Sequence, residues 1–380
     1  MSRWLWLGGL TVAVAIALVF AYRGEAAASE RATCSRVDEF VPAFCLNIPT
    51  TSLRRDTTVP LVTVSSAAAD VRVETTVAGK DAAALGATVD RAVARVETLF
   101  ARSYSERPRI FVFGTSASFA TGARELFAYS AEVANDIAAK YGGIFDRPTL
   151  TIAINWRAGS PERMSATIAH ELTHLMMRDI TRSDDTPTWV DEGLATIVEE
   201  DTPGGAILVA DETLAGRALA STHELTLASV DTLSEWHASY ARFGRPLYAY
   251  AANAVRAMEQ RIGWDGLMRL IEDTGRGTMF EASYSAASGE SSAVLEQRLA
   301  WVEPTIVTTP DGSGARWTLV SLKPYALIDV SITGTNGYAL TFTVATDRLG
   351  IYRGSFGATA APGTYTIHAA GATATLVTSR

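Results

Sequence analysis

Two histidines four residues apart, with a glutamate directly after the first, constrain this chain more than any other feature: His170-Glu171-Leu172-Thr173-His174. An α-helix turns about 100° per residue, so positions i and i+4 stack on one face and aim both imidazoles at one point. The preceding residues read as a helix start, with Ser160 as N-cap, Pro161 at the first helical position and Glu162 close behind. Met164, Ile168, Leu172 and Leu175 recur at helical spacing and are expected in the core. Imidazole suits Zn²⁺, and a catalytic zinc typically takes three protein ligands and keeps one position open. Glu171 lies on the neighbouring flank of the helix, where its carboxylate can act as general base without ligating the metal. Glu192, in Trp189-Val190-Asp191-Glu192-Gly193-Leu194-Ala195, is the natural third ligand.

These two motifs resemble those of the gluzincins, zinc peptidases whose two histidines and distal glutamate bind the metal. Within them the chain is most similar to the bacterial peptidase MA-like group, related to thermolysin and to the aminopeptidase N type. The resemblance covers roughly residues 105 to 302. It implies His170, His174 and Glu192 as ligands of one Zn²⁺ per chain, Glu171 as base, and a peptide or protein substrate. It also implies an α+β fold, a mixed sheet plus a helical subdomain with the zinc site between them. The family often places a tyrosine or histidine where it hydrogen-bonds the tetrahedral oxyanion. Tyr248 is the candidate here; Tyr250 is about 200° away on a helix, so only one of the two can face the site. The last strand before the zinc helix, by position 150–155, is expected to run along the cleft edge and pair with an extended substrate. Related aminopeptidases carry a Gly-x-Met-Glu-Asn segment that anchors a free amine. The stretch at 154–159 lacks it, so endopeptidase activity is favoured.

The remaining histidines of this half carry less. His223 reads as a surface residue, because Leu227 stands where a second ligand would be; His237 is a further candidate donor to the transition state. Asp191, next to Glu192, is a candidate for supporting a ligand from behind. The rival reading is a catalytically silent surface protein that keeps the peptidase fold as a binding module. An intact Glu171 argues against it, since a metal site alone does not require that residue.

The chain is 48% hydrophobic and 19% charged, which excludes a disordered protein. Its net charge of −8 and lack of a basic run argue against nucleic-acid binding. The stretch from Trp4 to Tyr22 holds no charge and lies between Arg3 and Arg23. About 20 apolar residues span a bilayer as a helix. The stretch is therefore expected to be an uncleaved signal-anchor of a single-pass cell-membrane protein with its catalytic part outside. Cleavage after Ala26-Ala27-Ala28, giving a secreted protein, is the alternative. In an exported chain the only two cysteines, Cys34 and Cys45, are expected to form a disulfide.

Four regions are expected: a signal-anchor or signal peptide over 1–28, a stalk over 29–60, the peptidase domain over 61–303, and a small all-β sandwich over 304–380. Strands are expected at 71–77, 109–113 and 149–155. Helices are expected at 81–103, 116–128, 246–262, 264–272 and 291–302. In the last region, short stretches such as Ile328-Asp329-Val330-Ser331-Ile332 alternate with period two, and turns such as Gly334-Thr335-Asn336-Gly337 separate them. The run from Asp347 to Phe356 with Pro362-Gly363-Thr364-Tyr365 resembles bacterial immunoglobulin-like repeats, a likeness of fold and not of function.

Overall fold

Three largely buried strands form the centre of the first part of the chain. They are β2 (Asp70–Glu74), β3 (Arg109–Phe113) and β5 (Thr151–Asn155). Strands buried on both faces belong in the middle of a largely parallel sheet covered by helices. The computed structural model, which describes residues 55–156, 161–182, 185–202, 209–300, 303–311, 314–356 and 362–378, shows that arrangement. With β1 (Leu61–Val64) and β4 (Gly143–Asp146) the sheet runs β1-β2-β3-β5-β4. The two inner pairings, β2–β3 and β3–β5, are parallel, and both edge strands are antiparallel to their neighbours.

Helices cover both faces. On one side lies α1 (Thr75–Phe100), with Val89, Val93, Val96 and Phe100 buried against Val71, Ile110, Val112 and Ile152. On the other lie α2 (Ser116–Phe127) and α3 (Ala131–Lys140), where Phe119, Leu126 and Ile137 meet Phe111, Phe113 and Ala153. Thr115 caps α2 through a reciprocal bond set with Ser118, and Ser130 caps α3. The first core continues into α4 (Pro161–Thr181), α5 (Thr188–Glu200), α6 (Val209–Ser221) and α8 (Pro246–Gly275), with α7 (Leu233–Phe243), α9 (Phe280–Ser288) and α10 (Ser292–Gln297) around them. Two glycines bring backbones together here. A Cβ on Gly193 of α5 would lie 2.7 Å from the carbonyl oxygen of Ala251, and one on Gly216 of α6 would lie 2.5 Å from the carbonyl carbon of Ala249. Both contacts fall on α8. That helix is broken at Gly263, which takes φ 72 and ψ 165, so the expected division at this residue is present.

The last seven strands are all antiparallel. They are β6 (Thr305–Asp311), β7 (Gly314–Val320), β8 (Leu327–Gly334), β9 (Ala339–Ala345), β10 (Ile351–Phe356), β11 (Gly363–Ala369) and β12 (Ala372–Thr378). They form a three-stranded sheet β10-β7-β6 and a four-stranded sheet β12-β11-β8-β9. One apolar core lies between them, with Ile306, Trp317 and Leu319 from the first sheet and Val330, Ile332, Tyr365, Ile367 and Leu376 from the second. Val320, Leu349 and Ile351 instead join the larger core, and Arg348 donates to the backbone carbonyl of Arg242 at the end of α7.

Four expectations need correction. No helix among the described residues is long and apolar enough to cross a membrane, which overturns the single-pass membrane assignment. The long helices fail on charge: α8, for example, carries Arg256, Glu259, Arg261, Asp265 and Arg269. The stretch Trp4–Tyr22 and the pair Cys34 and Cys45 lie outside the described residues. Second, β5 is not the edge strand; β3 and β4 flank it, and β4 holds the edge. Third, α1 begins at Thr75, six residues ahead of the expected start, directly after β2. Fourth, the expected helix over 291–302 is regular only from Ser292 to Gln297.

Candidate metal centre

The buried stripe Met164, Ile168, Leu172 and Met176 seats α4 in the core and turns the adjacent flank, with His170 and His174, toward α5. α5 is seated in turn by Trp189, Val190, Leu194 and Val198, which leaves Glu192 facing the two histidines. The rings of His170 and His174 stand 4.9 Å apart between centroids. Oε2 of Glu192 lies 3.4 Å from Nε2 of His170 and 3.6 Å from Nε2 of His174. All three potential ligand atoms fall within 4.8 Å of one another, and no other such group of three occurs among the described residues.

Does this triad fit a zinc ion? Donors about 2.0–2.1 Å from a tetrahedral ion are separated from each other by about 3.3 Å, and two of the three spacings are close to that. Oε2 of Glu192 is also buried without a hydrogen-bond partner. A buried carboxylate oxygen left unpaired costs free energy unless a cation compensates it. The donor set is two imidazoles and one carboxylate with no thiolate, which suits a hydrolytic zinc.

Behind the triad stand further charges. Nδ1 of His174 is 3.0 Å from Asp191, and Nδ1 of His170 is 3.2 Å from Glu199. Asp191 lies 2.5 Å from Arg147, and Glu199 lies 3.5 Å from Arg245. Burial works against the ionised form of Glu199, but His170 and Arg245 prevail and lower it to about 2. Burial likewise opposes ionised Asp191, and His174 and Arg147 outweigh it, so its pKa falls below the usual carboxylate value. Burial disfavours the charged form of both histidines. The carboxylates around them still raise both, His170 well above its ordinary value through Glu192 and Glu199, and His174 through Asp191 and Glu192.

Glu171 is only 6% exposed. Burial is the largest influence on it and raises its pKa to about 7. It rests against β4, where a Cβ on Gly143 would come within 2.7 Å of its Oε1 and 2.9 Å of its Cγ. Tyr248, in the first turn of α8, places its ring 5.9 Å from that of His170 and is boxed in by Trp236 and Tyr240. Burial and the nearby Glu192 push its phenol well above the ordinary value, so it stays protonated. Tyr250 is fully buried beside Glu296, so of the two candidates Tyr248 is the one at the cluster. His237, on α7, lies with Nδ1 3.2 Å from the hydroxyl of Tyr141, and burial lowers its pKa. His223 is exposed on the loop after α6.

The fold places His170, Glu171, His174, Asp191, Glu192 and Tyr248, each singled out from the sequence, in one cluster. The sequence reading missed Glu199, Arg147, Arg245 and Tyr141. Glu199 alone left a signal, since it follows Glu192 by seven positions, two turns along one helix face.

No family model matches the chain. No curated protein matches it either. Among solved structures, native yeast LTA4 hydrolase is similar at a TM-score of 0.41 and 15% identity, over 62% of this chain and 38% of that one. The chain thus spans well under half the length of that neighbour. A likeness this loose assigns nothing, and the functional reading rests on the residues described above.

Proposed function

We propose that the chain is a zinc-dependent peptidase, with His170, His174 and Glu192 holding one Zn²⁺ and Glu171 serving as general base. The observation that carries this reading is the convergence of two Nε2 atoms and an otherwise unpaired Oε2, beside a carboxyl that ligates nothing. When bound, zinc supplies a Lewis acid for the scissile carbonyl and brings the pKa of water toward neutrality. Glu171 takes the proton of the attacking water and passes it to the leaving amine. Burial, which raises this carboxyl in the metal-free chain, favours its holding the proton between the two steps. Tyr248, kept protonated, donates to the oxyanion. β4 holds an extended peptide by strand addition, since its outer edge carries no strand among the described residues and Glu171 lies against it.

Cleavage within chains is the finer reading, resting on the missing Gly-x-Met-Glu-Asn segment. Residues 61–303 form the peptidase domain and 304–380 a sandwich that serves as a spacer. The strand order, three strands against four with non-consecutive neighbours in each sheet, supports the immunoglobulin-like reading of that sandwich. The test is zinc content and peptide-library turnover of the full chain beside Glu171→Gln. One zinc per chain in both, with turnover in the wild type only, is the expected result. Zinc without turnover in the wild type would favour a binding module, and no zinc in either would remove the metal site.

A further inference from the structure

The chemistry proposed above uses one nitrogen of each imidazole. The other nitrogen of His170 faces Glu199 at 3.2 Å. That carboxylate is almost enclosed, with 13% of its side chain exposed, and takes no part in proton transfer or oxyanion stabilisation as described. A carboxylate held ionised in such a place costs free energy unless something compensates it. His170 and Arg245 both do so. Arg245 also lies over the ring of Tyr248, its guanidinium carbon 5.4 Å from the centroid. α5 therefore presents both Glu192 and, two turns later, the carboxylate that meets the back of the first histidine.

Neutral imidazole carries one proton on one of its two nitrogens, and the partner of the protonated nitrogen decides which. A carboxylate opposite Nδ1 keeps the proton there and leaves the Nε2 lone pair free for a metal. We propose that Glu199 is a positioning residue of the metal site: it accepts the hydrogen bond of His170 Nδ1–H, fixes that tautomer and ring orientation, and is itself held by Arg245. Asp191, backed by Arg147, stands in the same relation to His174. The inference rests on the zinc reading above and assigns Glu199 a part in it.

The test uses the full chain as wild type, Glu199→Ala, Glu199→Gln and Glu200→Gln. Glu200 is the neighbouring buried carboxylate, paired with Arg256. Zinc affinity is read by competition with a chromophoric chelator, and the thermal midpoint of each metal-free protein is recorded beside it. Glu199→Ala should weaken zinc binding by about 10–100-fold. Glu199→Gln should fall between it and wild type, because an amide oxygen still accepts from Nδ1–H without the charge. Glu200→Gln should lower the thermal midpoint and leave zinc affinity at the wild-type value. Wild-type affinity in Glu199→Ala, or an equal loss in Glu200→Gln, would overturn the assignment. If the alanine variant does not fold, wild-type affinity in Glu199→Gln overturns it. A wild-type chain that binds no zinc would instead remove the metal centre, and this role with it.

Discussion

The candidate metal centre and the carboxy-terminal sheets bury polar groups in opposite ways. Within 303–378 the buried polar side chains are Thr318, Ser321 and Thr346, all hydroxyls, and no buried side-chain atom among the described residues there lacks a partner. Ser321 bonds the carbonyl of Gly350, and Thr346 bonds that of Lys323. Between α4 and α5 the chain buries His170, Glu171, Asp191 and Glu200, and leaves Oε2 of Glu192 without a hydrogen-bond partner. Both regions have an apolar core of their own, so the contrast is not that one of them lacks a core. A region whose task is to fold places its charges in water. A cluster of ionisable groups kept inside the fold is the mark of a site with a task beyond folding.

The sharpest way to break this contrast is Glu171→Gln, which should lower turnover by about a thousandfold while zinc content holds at the wild-type value. Kinetics beside elemental analysis measures both, and undiminished turnover would sink the role. Trp317→Ala tests the other side. It should cost about 3–5 kcal/mol in the stability of the sheets, followed by denaturant unfolding, and leave zinc affinity unchanged. A drop in zinc affinity would show that the two regions are not separate in function. Tyr248→Phe should lower kcat by about a hundredfold with KM held, because the phenol acts on charge that develops only in the transition state. A rise in KM alone would move Tyr248 to substrate binding.

The smallest effect concerns pH in the metal-free protein. The folded-state pKa of Glu171 is about 7, against an ordinary 4.5. The folded chain therefore binds a proton that the unfolded chain releases between those values. Stability from this group is full below 4.5, falls as pH rises to 7, and is level above. The span is on the order of 3 kcal/mol. The raised histidines act in the same direction, being stabilising when charged and losing that contribution as pH rises through their folded values. Thermal midpoints of the metal-free chain should thus be higher at pH 5 than at pH 8, and Glu171→Gln should flatten part of the slope. Added zinc should stabilise more at pH 8, because its ligands must be deprotonated. A metal-free midpoint that rises with pH would contradict the burial of these charges.

What the sequence revealed follows from the range of the forces involved. Local rules were readable: the i, i+4 histidines, the alternation in β8 and β9, the break at Gly263. The edge strand β4 was not, because Gly142-Gly143 reads as a chain break when taken alone. Gly143 is needed for the room it leaves Glu171, a residue 28 positions away that only the fold brings near. Glu199 escaped notice because a carboxylate near a helix end is usually solvated, and nothing local says that Arg245 and His170 surround it. Arg147 and Arg245 enter from the turn after β4 and from the start of α8, distant in sequence from the histidines and brought to them only once the sheet and helices have assembled.

The close approaches at Gly193 and Gly216 have a consequence for engineering. They join α5 and α6 to α8 backbone to backbone, so the spacing between Glu192 and Tyr248 is set by main chain more than by side-chain volume. The surrounding Leu, Val and Ala positions can then be redesigned for stability or expression with little change in the site. Any bulk added at either glycine, however small, would act as a wedge and open the centre from behind.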